Sequence, residues 1–568
     1  MKTKHLLFLI SFFIFTGICA QQIPQTFQGK THMLSEKEMQ QLKSIKQRFS
    51  QTAPPSGSVR SIAEFERSEG VIVTYTSSYW GGGGFGLPLN VIAEMSEDAI
   101  VYTVVKNQSV QNTVTNLYNS NGVTLSNVVF VKAPSDSYWS RDYSPWFIAN
   151  NNEVAIVDFP YNRPRPNDNN MPVVFGQKLN LDVYGMNLTS TGGNYMSDGM
   201  GAAASCDLVY SENSSLSHAQ VKSLVSDYLG VTNYHVVSDP LDAYIQHIDC
   251  WGKFLDVDKI LITKVPQSDP KYADFEAMAN YWANQQSSYG NNYQVYRVYS
   301  PNGQPYTNSL ILNDKVLVPI VSGTGSSHNQ AALNVYQAAM PGYEVIGFHQ
   351  LSSEPWQKTD ALHCRTHEVP DRKMLYIKHT PTQGTVSGSS INISANVVSY
   401  AGNNINQVKL FYKKNNGSYT STTLTAGSGN NYSTTLNLST GDNVSYYIKA
   451  TDATGKVETH PFIGASDPHK FVIGRSGEAN MKLQAEIDLD VFPNPTSDLM
   501  TITIANFDDL SGSVKLKNIN GVVVLSENID AEGGWFMKKF NVSHLASGLY
   551  ILTVEVNDEL ISKKVLIK

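Results

Sequence analysis

Cys364 stands in the run Asp360-Ala-Leu-His-Cys-Arg-Thr-His-Glu368, and a thiol that can ionise is among the best nucleophiles a side chain offers. The chain has four cysteines, of which Cys19 falls in what reads as a signal peptide. That leaves Cys206, Cys250 and Cys364, an odd number for an exported protein, so at least one stays a thiol unless it pairs with another molecule. Three further clusters complement it: Trp139-Ser-Arg-Asp142, Gly192-Gly-Asn194 and His247-Ile-Asp249. A His-x-Asp spacing places both side chains on one face of an extended strand, which sets a proton carrier beside a carboxylate and turns Cys250 to the opposite face. Each cluster also has an ordinary structural explanation. An isolated His-x-Asp serves as a hydrogen-bonded pair, Trp-x-Arg-Asp as a buried ion pair under an aromatic ring, Cys364 as a small buried apolar residue, and the histidines beside it as polar loop residues.

The elements that must position these groups follow from pattern. Lys2 and Lys4 precede an apolar run from Leu6 to Ile18, with Ala20 before a cut, so residues 1–20 read as a signal peptide. That run is too short for an ordinary span and no later segment approaches eighteen apolar residues, so the mature chain is expected to carry no transmembrane span. At 568 residues, three or four domains are expected. A net charge of −7 supplies no basic field, and no nucleic-acid motif is present, so nucleic acid is not expected as a partner. A polar lead, 21–52, ends near Pro54-Pro55-Ser-Gly57. From 53 to 378, strand patterns at 71–75, 100–105, 154–158 and 259–263 alternate with helical patterns at 215–229, 270–284 and 330–340, a mixed α/β unit. Strand alternation at 391–397, 408–413 and 444–450, with Asn/Gly turns, makes 379–475 an immunoglobulin-like sandwich without a disulfide. A linker, 476–487, leads to a last β-rich unit, 488–568.

Two resemblances sharpen this. Val491-Phe-Pro-Asn-Pro-Thr-Ser-Asp498, Ala546-Ser-Gly-Leu-Tyr-Ile-Leu-Thr553 and Lys563-Lys-Val-Leu-Ile-Lys568 resemble the C-terminal sorting domain of type IX secretion, which implies export through that machinery to the cell surface or the medium. Asp136-Ser-Tyr-Trp-Ser-Arg-Asp-Tyr143, Tyr161-Asn-Arg-Pro-Arg-Pro-Asn-Asp168, Thr191-Gly-Gly-Asn-Tyr-Met196, His247-Ile-Asp-Cys-Trp-Gly252, Pro305-Tyr-Thr-Asn-Ser-Leu310 and the Cys364 run, in this order, make residues from about 58 to 475 similar to the Porphyromonas-type peptidylarginine deiminases of the guanidino-group-modifying superfamily. The resemblance implies a five-bladed α/β propeller, the pentein fold, with the site at its centre. It also implies roles: Cys364 as nucleophile, His247 as acid and base, Asp142 and Asp249 as guanidinium ligands, Asn308 as an orienting group, and no metal or other cofactor.

Substrate choice rests on Arg163 and Arg165. Alone they read as solvated surface; within the resemblance they match residues that clamp the α-carboxylate of a C-terminal arginine, with Trp139 and Tyr244 lining the slot. A stiff, extended Arg-Pro-Arg-Pro backbone lets two guanidiniums at i and i+2 face one anion. Peptides and proteins ending in arginine are therefore the expected substrates. Agmatine deiminases share most of these clusters, so an exported agmatine or free-arginine deiminase stands as the alternative, and a catalytically idle surface adhesin as another. Trp80-Gly-Gly-Gly-Gly-Phe-Gly86 has no counterpart in the family pattern and reads as a mobile loop near the entrance.

Overall fold

The computed structural model describes Glu38 and residues 49–76, 84–415, 417–474, 488–492, 494–505, 509–532, 535–556 and 559–568. The proposed signal peptide, most of the lead, Trp80 to Gly83 and the 476–487 linker lie outside the described residues. Among the described residues, no helix is long and apolar enough to cross a membrane.

The first unit contains five separate sheets built to one plan, an antiparallel hairpin followed by a helical crossover to a parallel strand. Trp146–Asn150 and Glu153–Asp158 pair antiparallel, and Val183–Gly185 joins in parallel. Met196–Ser197, Ala202–Cys206 and Asn233–Val237 repeat the plan. So do Gly252–Asp256, Lys259–Lys264 and Gln294–Tyr299, and Leu310–Leu312, Lys315–Ile320 and Glu344–His349. The fifth repeat joins the two ends of the unit: His367–Pro370 supplies the hairpin strand for Ser68–Thr74, and Ile100–Val105 follows in parallel. The strands named from sequence all form. They are short apolar runs because helices cover them, and a strand buried on both faces has no need of alternation. Three crossover helices, His218–Leu229, Tyr272–Ala283 and Asn329–Ala339, occupy the segments with helical patterns. The first starts at a reciprocal Ser217/Gln220 capping box and ends at Gly230, whose φ of 67° is left-handed.

Beyond Pro370 two facing sheets share a core that includes Val397, Leu410, Tyr446, Ile448 and Phe471. Leu375–Lys378, assigned from sequence to the first unit, pairs with Ser390–Ser399 of this second one. The unit therefore begins a few residues earlier than composition suggested. The last unit is also built of strands, with Met500, Ile502, Leu516, Val554 and Val565 in its core.

Candidate active site

Each of the five repeats opens with a short turn directly before its first strand, and these turns bear the candidate site residues. Ser140–Tyr143 bears Asp142, the turn Gly192–Asn194 bears the glycines, and Ile248–Cys250, with His247 leading into it, bears Asp249. Asn308 closes a turn from Pro305, and His363–Arg365 bears Cys364. The fivefold plan thus brings side chains more than 200 residues apart in sequence to one place, and Asp142, His247, Asp249, Asn308 and Cys364 are all buried there.

Cys364 Sγ accepts from Asn308 Nδ2 at 3.3 Å and lies 3.8 Å from Asp249 Oδ2. The Asn308 carbonyl oxygen, Oδ1, accepts the backbone N–H groups of Cys364 and Ala361, so one amide fixes both the thiol and the backbone that carries it. His247 Nδ1 is 3.6 Å from Asp142 Oδ1. The second glycine of Gly192-Gly-Asn194 permits that approach, because a Cβ on Gly193 would lie 2.4 Å from His247 Nδ1 and 3.0 Å from Asp142 Oδ1. Asn194 ties the turn to Ala202–Cys206, the second strand of its repeat, through both backbone groups of Cys206. Trp139 packs with Tyr138 and Cys364, and Arg165 stacks over its ring at 4.9 Å.

The two carboxylates are held differently. Burial and the negative charge of Asp249 push Asp142 up to about 8, against the opposing pull of Arg163 and Arg165. Burial also acts to raise Asp249, yet the hydrogen bond and charge of His363, with His247 and Arg141, keep it below its ordinary value. For Cys364, a hydrogen bond from the Cys250 thiol pulls downward, but burial and the carboxylates Asp249, Asp360 and Asp142 prevail and raise it to about 11. The site at rest therefore holds a thiol, one ionised carboxylate and, near neutrality, one protonated carboxyl. Nearby arginines do not offset burial at Asp142 and Cys364, and a bound guanidinium would add positive charge there.

Several local expectations change. His247-Ile-Asp249 is not an extended strand: His247 is extended, but Ile248–Cys250 is a 3-10 turn. Cys250 is consequently not turned away. Its Sγ donates to Asp249 Oδ1 at 3.5 Å, and it is near enough to Cys364 to influence that thiol. Arg163-Pro-Arg165 is not extended either, since the Arg165 N–H returns to the Arg163 carbonyl at 2.8 Å. Both arginines are buried rather than solvated. Asp168, accepting from Asp136 N, Ser137 N and Ser137 Oγ, ties this loop to the Trp139 segment. Arg165 Nε already donates to Glu38 Oε1 at 3.0 Å, a buried ion pair with the lead. Tyr244 remains 46% exposed on the loop before His247.

His363, read as a polar loop residue, is buried between two carboxylates. Of the glycine-rich segment, Gly84 exchanges backbone hydrogen bonds with Thr76, and the Gly86 carbonyl accepts from Arg365, next to Cys364. Gly86 has φ +68°, and a Cβ there would meet the Tyr138 ring at 2.6 Å. Residues that sequence reasoning missed are Glu38 and Glu64, neither of which sits in a recognisable motif, and His363, whose only signal was its place beside Cys364.

A buried thiol, a histidine and two carboxylates thus meet where the opening turns of the repeats come together. A family model described as Porphyromonas-type peptidyl-arginine deiminase matches residues 60–370, and the chain belongs to that family. It is accordingly a deiminase, a hydrolase of amidine C–N bonds. A relative from Yersinia pestis, provisionally named an agmatine deiminase, is 25% identical over 290 residues, covering 43% of this chain and 78% of its own. One from Legionella pneumophila, named in the same provisional way, is 24% identical over 294 residues, 47% of this chain and 81% of its own. Among solved structures, the agmatine deiminase of Enterococcus faecalis has the same fold over 57% of this chain and 100% of its own, at 20% identity and a TM-score of 0.50. A secretion system C-terminal sorting domain matches residues 490–568. It marks the protein for type IX export to the cell surface or extracellular space.

Proposed function

We propose that this protein is an exported peptidylarginine deiminase that converts C-terminal arginine of peptides and proteins to citrulline and ammonia. The observation that carries this is the buried Arg165, stacked on Trp139 beside Cys364, with a carboxylate already seated on it. An anion subsite at that position suits an α-carboxylate and disfavours a substrate that is cationic at both ends. The five hairpin–helix–strand repeats are read as the five blades of a pentein propeller, and the two facing sheets after it as the immunoglobulin-like domain. Residues 1–20 are read as a signal peptide.

The guanidinium enters between Asp249 and Asp142, and its charge favours ionisation of Asp142 and of Cys364, both raised in the free protein. His247 takes the thiol proton, and Sγ attacks the central guanidinium carbon while the C=N electron pair moves to nitrogen. His247 returns the proton to the departing nitrogen, ammonia leaves, and a thiouronium remains on Cys364. His247 then takes a proton from water, whose oxygen adds to the same carbon. Collapse expels the sulfur, which regains the proton from His247, while the hydroxyl proton leaves to water and on to ammonia as the C=O forms, and citrulline is released. Asn308 holds Sγ on line throughout. No step uses a metal.

The agmatine deiminases among the relatives and solved structures support a second reading, an exported deiminase of agmatine or free arginine. The test compares a peptide ending in arginine, the same peptide amidated, and agmatine, with wild type and Arg165→Ala. Selective loss on the free-carboxylate peptide is expected; equal turnover of the amidated peptide, or a preference for agmatine, overturns the clamp.

A further inference from the structure

Behind the thiol, Asp249, His363, Glu64 and Lys253 form a continuous hydrogen-bonded chain, buried except at the partly exposed Glu64. His363 Nδ1 lies 2.7 Å from Asp249 Oδ2, and His363 Nε2 lies 2.9 Å from Glu64 Oε2. Glu64 Oε2 also accepts from Lys253 Nζ at 2.7 Å, and Glu64 Oε1 accepts the Ile311 backbone N–H at 2.7 Å. A carboxylate only accepts hydrogen bonds, so each ring nitrogen of His363 satisfies its partner by donating. The backbone reinforces the arrangement: His363 N–H donates to the Asn308 carbonyl at 3.0 Å, and Asn308 holds Cys364. A cavity of about 70 Å³ lies against the chain, lined in part by Glu64, Arg141, Asp249, Lys253, His363 and Glu368.

Resting on the deiminase reading above, we propose that His363 is a positioning residue for guanidinium capture, orienting Asp249 beneath the nucleophile and itself anchored through Glu64 to Lys253. Asp249 Oδ2, the oxygen nearest Cys364 Sγ, is the one His363 holds. A rotation of that carboxylate would move the substrate's charge away from sulfur. The charged and titratable groups around Asp249 and His363 are Glu64 on the segment before Ser68–Thr74, Arg141 and Asp142 on the first turn, and His247, Cys250 and Lys253 around the third. Asp360, Cys364, His367 and Glu368 complete the set on the fifth. Of the positive groups that face Asp249, His363 favours the ionised carboxylate most, through both its hydrogen bond and its charge, ahead of His247 and Arg141.

The variants are His363→Gln and Glu64→Gln, assayed for kcat and KM on a peptide ending in arginine from pH 3 to 9, so that the limb set by Asp249, held below 3.8, falls inside the range, with Tm recorded for each. His363→Gln should raise KM more than it lowers kcat, and should move the acid limb of kcat/KM upward by about one pH unit or more, the scale set by losing a positive neighbour. Glu64→Gln, which leaves His363 in place, should shift the limb in the same direction by less. An acid limb that stays put in both variants, with activity falling uniformly in step with Tm, overturns the proposal and leaves a purely structural role. If His363→Gln does not fold, the Glu64→Gln profile decides alone. Wild-type turnover in the same assay separates failure of this proposal from failure of the deiminase reading, which inactive wild type would signal.

Discussion

Replacing Asp142 with asparagine should stabilise the folded protein while removing its activity, and the gain should grow with pH. In the fold, burial and Asp249 raise Asp142 from 3.8 to about 8. Between those values the folded chain binds one proton more than the unfolded chain, so unfolding free energy falls as pH rises, by about 1.4 kcal/mol per unit. Asparagine has the shape of the protonated carboxyl and no proton to lose. Other titrating groups contribute to both proteins and cancel in the difference. From pH 5 to pH 7 the stability of Asp142→Asn relative to wild type should therefore climb by roughly 3 kcal/mol. Urea unfolding followed by tryptophan fluorescence suits the measurement, because six of the seven tryptophans (80, 139, 146, 251, 282 and 356) lie in the first unit and only Trp535 lies beyond. A difference that does not change with pH would mean that Asp142 is ionised without substrate, and would refute the argument that a bound guanidinium adds the positive charge that favours its ionisation.

Other expectations follow from single contacts. Gly193→Ala should lower kcat about 100-fold with little loss of Tm, since relieving a 2.4 Å approach requires His247 to move by about 1 Å; kcat and Tm measured together decide it, and an unchanged kcat contradicts the placement. Glu38→Gln, or a chain starting at Ala53, should lower KM for a free-carboxylate peptide but not for its amide, because the Glu38 carboxylate sits on Arg165; steady-state kinetics on the pair is the check. His379, His460 and His469 interlock in the second unit, and burial lowers His379 to about 4 and the other two well below 6.5. Their neutral forms support the fold fully above pH 6.5, and that support is lost as pH falls towards 4, so Tm should drop between pH 7 and 4.5 and drop less in a His460→Gln, His469→Gln double variant.

What could be read from sequence divides along physical lines. Runs such as Val71 to Tyr75 and Ile100 to Val105 are apolar enough to declare strands, and the helix from His218 announces itself through Ser217 and Gln220. The fivefold recurrence of hairpin, helix and strand was expected only through the family resemblance and not from the pattern of residues, because the repeats share a plan of pairing rather than a spacing of residues. The five principal site residues carried a signal only as members of ordered motifs. Their local geometry was misjudged where a turn replaced an extended run, at His247 to Cys250 and at Arg163 to Arg165. Glu64 and Glu38 act through partners 299 and 127 positions away, and nothing in their own surroundings marks them. Charge states were equally hidden, since Asp142 and Asp249 differ by what surrounds them rather than by what they are.

The most direct test of the central claim is to measure citrulline and ammonia released by wild type and by Cys364→Ala, chelator present, from a peptide ending in arginine. Equal amounts of both products from wild type, with neither from the variant, are the predicted result. Product formation by Cys364→Ala at the wild-type rate, or silence from folded wild type, would contradict it.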